Sequence, residues 1–184
     1  MTGKIPVIMA LSLALAACAS GPPVPPPPRA PSIATVPAPP APRPVRVDFV
    51  LVDKSDRTLT LYGEGLALRT YGGLQFGDAP MGHKRFEGDE RTPEGRYVLD
   101  YRNPQSSYHL SLHISYPDEE DRAFAAQYGR SPGGLIFIHG QPNGWPDGER
   151  VPGDWTDGCI ALSNAQIEEL WTLVADGTPI EIRP

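Results

Sequence analysis

The sequence predicts a mainly β single domain over residues 47–184, with one or two helices packed on it. Three observations carry that expectation. Short runs of β-branched and aromatic residues recur between glycine- and aspartate-containing turns. A single clear helical period occurs near the C-terminus. Of the 23 prolines, 13 lie in residues 1–46, which separates that segment from a remainder long enough to bury a core.

Val47–Asp53 and Arg57–Tyr62, joined by the Lys54-Ser55-Asp56 turn, read as a hairpin. Leu66–Tyr71, bounded by Gly63, Gly65 and the Gly72-Gly73 pair, reads as a third strand, and Gly77–Gly95 as a long irregular loop. Tyr97–Tyr101 and Tyr108–Tyr116 return to strand. The second of these alternates, with Tyr108, Leu110, Leu112, Ile114 and Tyr116 on one face and His109, Ser111, His113 and Ser115 on the other. Asp118–Tyr128 is polar and of helical length. Gly134–Gly140 reads as a buried strand that ends at His139. Residues 163–177 form the clearest helix: Ser163 and Gln166 match a capping box, and Ile167, Leu170, Trp171 and Val174 make one apolar stripe. Thr178–Ile182 closes the domain as a strand.

Residues 1–17 read as an export leader, with Lys4 ahead of an apolar run from Ile5 to Ala17 that is too short to span a bilayer. The end of that run, Leu15-Ala16-Ala17-Cys18, resembles the bacterial lipobox, which implies cleavage before Cys18 and lipidation of its thiol. Ala19 after the cysteine implies the outer membrane and hence a periplasmic, lipid-anchored protein. Residues 18–46 then form a tether rich in Pro, Ala and Arg, without an aromatic residue, which cannot build a core. At ~3.1 Å per residue such a segment reaches up to roughly 85 Å. Residues 1–46 carry four bases and no acid, so the folded part holds all 22 acids against 12 bases. That balance excludes a nucleic-acid binder.

With Cys18 lipidated, Cys159 has no disulfide partner, and a leftover thiol in an exported protein needs a role. One reading is an inert buried cysteine. The other is a nucleophile, favoured by the glycine and polar turn of Thr156-Asp157-Gly158-Cys159. A nucleophilic thiol needs a base. His139 is the best placed, at the end of an apolar strand and ahead of Gly140, whose carbonyl is free to accept from the imidazole. His83 falls in the charged loop and reads as solvated, while His109 and His113 either line a pocket or face water. No histidine pair has metal-ligand spacing, so neither a metal nor another cofactor is expected.

His139-Gly140, fifteen intervening residues, then Thr156-Asp157-Gly158-Cys159-Ile160 resemble the signature of the L,D-transpeptidase (YkuD-type) catalytic domain family. Thr92-Pro93-Glu94-Gly95 resembles that family's segment leading into a strand. The resemblance implies a β-sandwich-like L,D-transpeptidase fold and a cysteine-dependent L,D-transpeptidase or L,D-hydrolase acting on peptidoglycan stem peptides. It casts Cys159 as nucleophile, His139 as general base and acid, the Gly140 carbonyl as the group orienting His139, and the Gly158 and Cys159 N–H groups as oxyanion donors. It also implies acylation of the cysteine by carbapenems. Asp157 stands where many members have histidine, and Ala161 where many have arginine. With Leu110–Pro117, these departures look like a YafK-like branch, some members of which hydrolyse murein links rather than form them. His113, Tyr116, Arg91 and Asp157 are the candidate substrate-binding residues, with Tyr108 and Ser115 as further candidates for the donor groove, and Trp145 and Trp155 either cap the site or pack beneath a loop. The expected partners are murein and, through the lipid, a membrane, with the chain acting as a monomer. The alternative is a silent murein-binding lipoprotein.

Overall fold

The computed structural model describes residues 46–184; the expected leader, Cys18 and nearly all of the tether lie outside the described residues. β1 (Phe49–Asp53) and β2 (Thr58–Gly63) form the expected antiparallel hairpin. In its turn the Asp53 carboxylate accepts from the Ser55 hydroxyl and the Asp56 N–H. β2 returns through Glu64 and Gly65, both at positive φ as a tight two-residue turn demands, into β3 (Leu66–Gly72). β4 (Gly95–Asn103), β5 (Ser111–Ile114), β6 (Phe137–His139), β7 (Ile160–Ala161) and β8 (Thr178–Arg183) complete one eight-stranded sheet in the order β3-β2-β1-β8-β4-β5-β6-β7. The β1–β8 and β6–β7 pairs are parallel, and the rest antiparallel.

The sheet curls until its ends meet. Past β3, Gln75 exchanges backbone hydrogen bonds with Ala161 of β7, at 3.1 and 2.8 Å. Alternate residues of the strands, among them Val50, Val52, Leu59, Leu61, Leu112, Ile114, Ile138, Ile160, Ile180 and Ile182, supply the buried core. α2 (Asn164–Leu173) adds Ile167 and Leu170 to it. The two helices number as expected. α1 (Glu119–Gln127) starts at a capping box between Asp118 and Asp121, and α2 at the predicted Ser163–Gln166 box.

Three boundaries differ from expectation. α2 stops at Leu173 rather than 177, because Val174 turns extended to bury its side chain, and Gly177 at positive φ starts the turn into β8. The strand expected over 108–116 is ordered as strand only at Ser111–Ile114. Its first residues bend around the end of β6, with His109 at φ 64° and the Tyr108 and Leu110 carbonyls both accepting from the Gly140 N–H. The strand expected over 134–140 is reduced to Phe137–His139, since Leu135 lies at φ 56° with 71% of its surface exposed. Both departures leave irregular backbone beside His139, where a cleft forms.

Candidate active site

β6 and β7 run parallel, with Ile138 opposite Ile160 and His139 opposite Ala161. The two isoleucines point into the core, fully buried. The period of two therefore places Phe137 and His139 on the other face, together with Ala161 and, one step before β7, Cys159. His139 and Cys159 accordingly line one cleft of about 440 Å³, with Tyr108, Ser111, Trp155 and Asp157 among its walls.

The imidazole is held tightly. Nδ1–H donates to the Gly140 carbonyl at 2.7 Å, which fixes the tautomer and leaves Nε2 as the basic nitrogen. Tyr108 stacks on the ring with centroids 4.5 Å apart, and Trp155 meets it edge-on at 5.5 Å. Only 2% of His139 is exposed, and this burial pushes its pKa down to about 4 against the smaller upward pull of the Gly140 carbonyl. Gly140 must be glycine: a Cβ there would lie 2.7 Å from Asn164 Oδ1 and 3.0 Å from His109 Cβ.

Cys159 is a free thiol. Its Sγ accepts from the Phe137 N–H at 3.4 Å, and its S–H has the Leu135 carbonyl at 3.7 Å as acceptor. Burial pushes this thiol up to about 11; the Phe137 N–H lowers it, the Asp157 charge raises it further and Lys84 counters. At neutral pH the resting pair is therefore thiol and neutral imidazole rather than thiolate and imidazolium.

The turn before Cys159 is braced from below. Gly158 adopts φ +119°, and a Cβ there would lie 2.4 Å from the Arg91 carbonyl oxygen. Strain and overlap together predict that Gly158→Ala costs about 2–5 kcal/mol and slows acylation of Cys159. Urea unfolding and the rate of carbapenem adduct formation measure the two effects, and wild-type values in both would refute this account of the turn. The fully buried Thr92 donates its hydroxyl to the Gly158 carbonyl at 2.9 Å. Thr92→Val orphans that carbonyl and is expected to lower stability by about 1–3 kcal/mol, read by the same unfolding assay. The role of Thr92 is invisible locally, because its partner is 66 residues away.

The oxyanion expectation needs one change. The Gly158 N–H points at Thr156 Oγ1, 3.3 Å away, while the Thr156 hydroxyl donates to the Cys159 carbonyl at 2.7 Å. Among the described residues the Cys159 N–H has no such partner and is the free donor.

Of the four residues expected to meet substrate, the structure places Asp157 on the cleft and the other three elsewhere. His113 bonds through Nδ1 to Asp100 at 2.7 Å and stacks on Tyr101, because the bulge in β4 brings that strand's side chains beside it. Tyr116 is buried, its hydroxyl donating to the Pro132 carbonyl. Arg91 extends over Gly82 on the surface, and its backbone rather than its side chain approaches the nucleophile turn. His83 is not solvated: Nε2–H donates to Asp121 at 2.8 Å, and Nδ1 accepts the Glu94 N–H at 2.8 Å. Trp155 covers the base, whereas Trp145 lies outside the cleft wall.

Residues 141–155, between His139-Gly140 and the Thr156–Cys159 turn, are anchored by side chains that sequence patterning does not reveal. The Gln141 amide donates to the Leu162 carbonyl and to Gln75, and its oxygen accepts the Val151 N–H. Gln75 in turn donates to the Val151 and Gly153 carbonyls. Arg57 grips Asp154 through two hydrogen bonds of 2.7 Å, and Asp154 also accepts the Phe76 N–H. Among the described residues no three His, Cys, Asp or Glu side chains converge as metal ligands would.

A curled sheet presenting a cysteine and a carbonyl-oriented histidine from adjacent parallel strands defines a candidate thiol-acyl site. The L,D-transpeptidase catalytic domain model (YkuD) matches residues 48–182, and the chain belongs to that family. Among solved structures it is similar to the helical cell shape determining protein Pgp2 from Campylobacter jejuni, at 31% identity and a TM-score of 0.59, covering 74% of this chain and 47% of that one. Bd1075 from Bdellovibrio bacteriovorus follows at 26% identity and 0.53, covering 75% and 48%. The L,D-transpeptidase from Mycobacterium smegmatis shares the fold at 17% identity and 0.50, covering 76% and 59%. The chain thus spans about half the length of the first two. A comparison with curated proteins finds no match.

Proposed function

We propose that this chain is a cysteine acyl-enzyme of peptidoglycan stem peptides, working as an L,D-transpeptidase or an L,D-endopeptidase. The observation that carries the reading is the Nδ1–H bond from His139 to the Gly140 carbonyl, which leaves Nε2 as a base in the cleft that holds Cys159. In this reading Cys159 Sγ attacks the carbonyl of the L-centred diamino acid while Nε2 takes the thiol proton. The Cys159 N–H meets the developing oxyanion, joined by the Gly158 N–H once it leaves Thr156. The C–N bond breaks, Nε2 returns its proton to the departing D-amino acid amine, and a thioester remains. An amine of a second stem, a lysine of a wall-linked lipoprotein or water resolves it. Water acting on an existing cross-link gives endopeptidase activity.

The proposal places the enzyme in the periplasm as a monomer, tethered through lipid on Cys18 and the proline-rich segment, probing murein from the outer membrane. A second reading, murein binding without turnover, draws support from the resting thiol, which faces Leu135 rather than the base. The deciding experiment incubates the full chain with purified muropeptides and follows products by mass spectrometry. New cross-links are expected of a transpeptidase, and monomers released from dimers of an endopeptidase. Unchanged muropeptides that nevertheless bind would select the second reading.

A further inference from the structure

We propose that the recess between the chain leaving β3 and residues 150–154 is a carboxylate-binding site anchored by Arg150. Among the described residues the Arg150 guanidinium makes no ion pair and no hydrogen bond, and its Nε and Nη2 are buried without a partner. Other bases that the fold partly buries are matched: Lys54 to Glu94, Lys84 to Asp89 and Arg57 to Asp154. A half-buried charge without a protein partner is costly, and the usual resolution is a bound anion or water.

The surroundings suit an anion of one charge. Arg150 lines an open recess of about 370 Å³ with Arg57, Gly73 and Asp154. Arg57 and Asp154 neutralise one another through their paired 2.7 Å bonds, so Arg150 leaves a single positive charge. A carboxylate balances it and can accept from Nη1, the guanidinium nitrogen beside Gly73 on the recess, whereas a dianion would press surplus charge against Asp154. Gly73, at φ +73°, keeps the approach clear, since a Cβ there would lie 3.1 Å from Arg150 Nη1.

The recess lies behind the segment that covers the base. Val151 and Gly153 are held by Gln75, Asp154 by Arg57 and Phe76, and Trp155 packs on His139. A carboxylate that locks Arg150 therefore stiffens the wall of the catalytic cleft from outside it. Assigning that carboxylate to a murein stem peptide rests on the function proposed above; the carboxylate site itself does not.

The test uses the full chain carrying Cys159→Ala, labelled with nitrogen-15, so that turnover plays no part. The Gly73 and Gly153 amides and the Arg150 Nε–H are followed during titration with sodium acetate at constant ionic strength, with inorganic phosphate and a tripeptide-stem muropeptide as separate arms. Saturable shifts with acetate are expected, weakened at least tenfold by Arg150→Gln, with phosphate binding no tighter than acetate. Shifts that rise linearly with acetate, or that saturate equally in Arg150→Gln, would overturn the site. Should that variant not fold, saturation of the Arg150 Nε–H signal in the parent decides alone. Saturation by acetate without saturation by the muropeptide keeps the site and removes murein as its ligand. Carbapenem acylation of unmodified Cys159 reports separately on the proposed function.

Discussion

Cys159→Ala is expected to leave the fold intact and to lower turnover of muropeptides by a factor of order 10⁴ or more. The substitution removes a sulfur that accepts only the Phe137 N–H and donates weakly to the Leu135 carbonyl, so little structural energy goes with it. The backbone around it does not depend on the thiol. Gly158 is held by Thr92, the Cys159 carbonyl by Thr156, and the strand that follows by β6. What disappears is the sulfur that the proposed function casts as the acyl carrier; among the described residues neither the Ser111 nor the Thr156 hydroxyl is hydrogen-bonded to an imidazole. Mass spectrometry of muropeptide products gives one readout, and the intact mass after exposure to a carbapenem gives a second that is independent of the natural acceptor. Equal product from variant and wild type would sink the nucleophile assignment. His139→Gln should lose turnover while keeping the thiol, which separates failure of the base from failure of the nucleophile.

Stability should fall on the order of 3 kcal/mol between pH 6.5 and 4 through His139 alone. The imidazole titrates at its ordinary value near 6.5 in the unfolded chain and at about 4 in the folded one, because burial between Tyr108 and Trp155 disfavours the cation. Within that window the unfolded state binds more protons, so lowering the pH favours unfolding. The contribution is fully present above 6.5 and is lost as the pH drops through the window. Asp89 and Asp154 are held below the usual carboxylate value, Asp89 by hydrogen bonds that outweigh its burial and Asp154 chiefly by Arg57; their contributions vanish only at lower pH. Cys159 acts at the other end. Its pKa is raised from 9.0 to about 11, so the folded state holds the proton longer and stability declines as pH rises from 9 towards 11. Urea unfolding of wild type and His139→Gln at pH 7, 5.5 and 4 measures the first effect. A loss of the same size in both proteins would show that His139 does not carry it.

Much of the architecture was legible because it depends on local rules. The β1–β2 hairpin, β3, β8, the Ser163 cap and the apolar stripe of α2 follow from alternation, turn residues and helical period, which act within a few positions of the chain. Cys159 and His139 were legible as candidates, a lone thiol after a glycine and a histidine ending an apolar strand, and it was the resemblance to the family that paired them. Of the substrate-side candidates Asp157 and Tyr108 line the cleft while His113, Tyr116 and Arg91 do not, because facing a cleft is a property of strand neighbours rather than of spacing. His113 shows this: alternation puts it opposite Leu112, but Asp100 and Tyr101 on β4 decide what it touches.

By itself the sequence determined which groups are candidates to react and where α2 begins. Only the tertiary structure decided how they are arranged and what surrounds them. The pairing of β6 with β7 puts thiol and imidazole on one face, and the closure of the sheet at Gln75 and Ala161 walls in the cleft. Burial then sets both groups neutral at rest, and Thr92, Gln75, Gln141 and Arg57 hold the walls from positions far away in the chain. The physical reason is common to all of these. Solvent exclusion and long-range hydrogen bonding exist only between segments that folding has brought together.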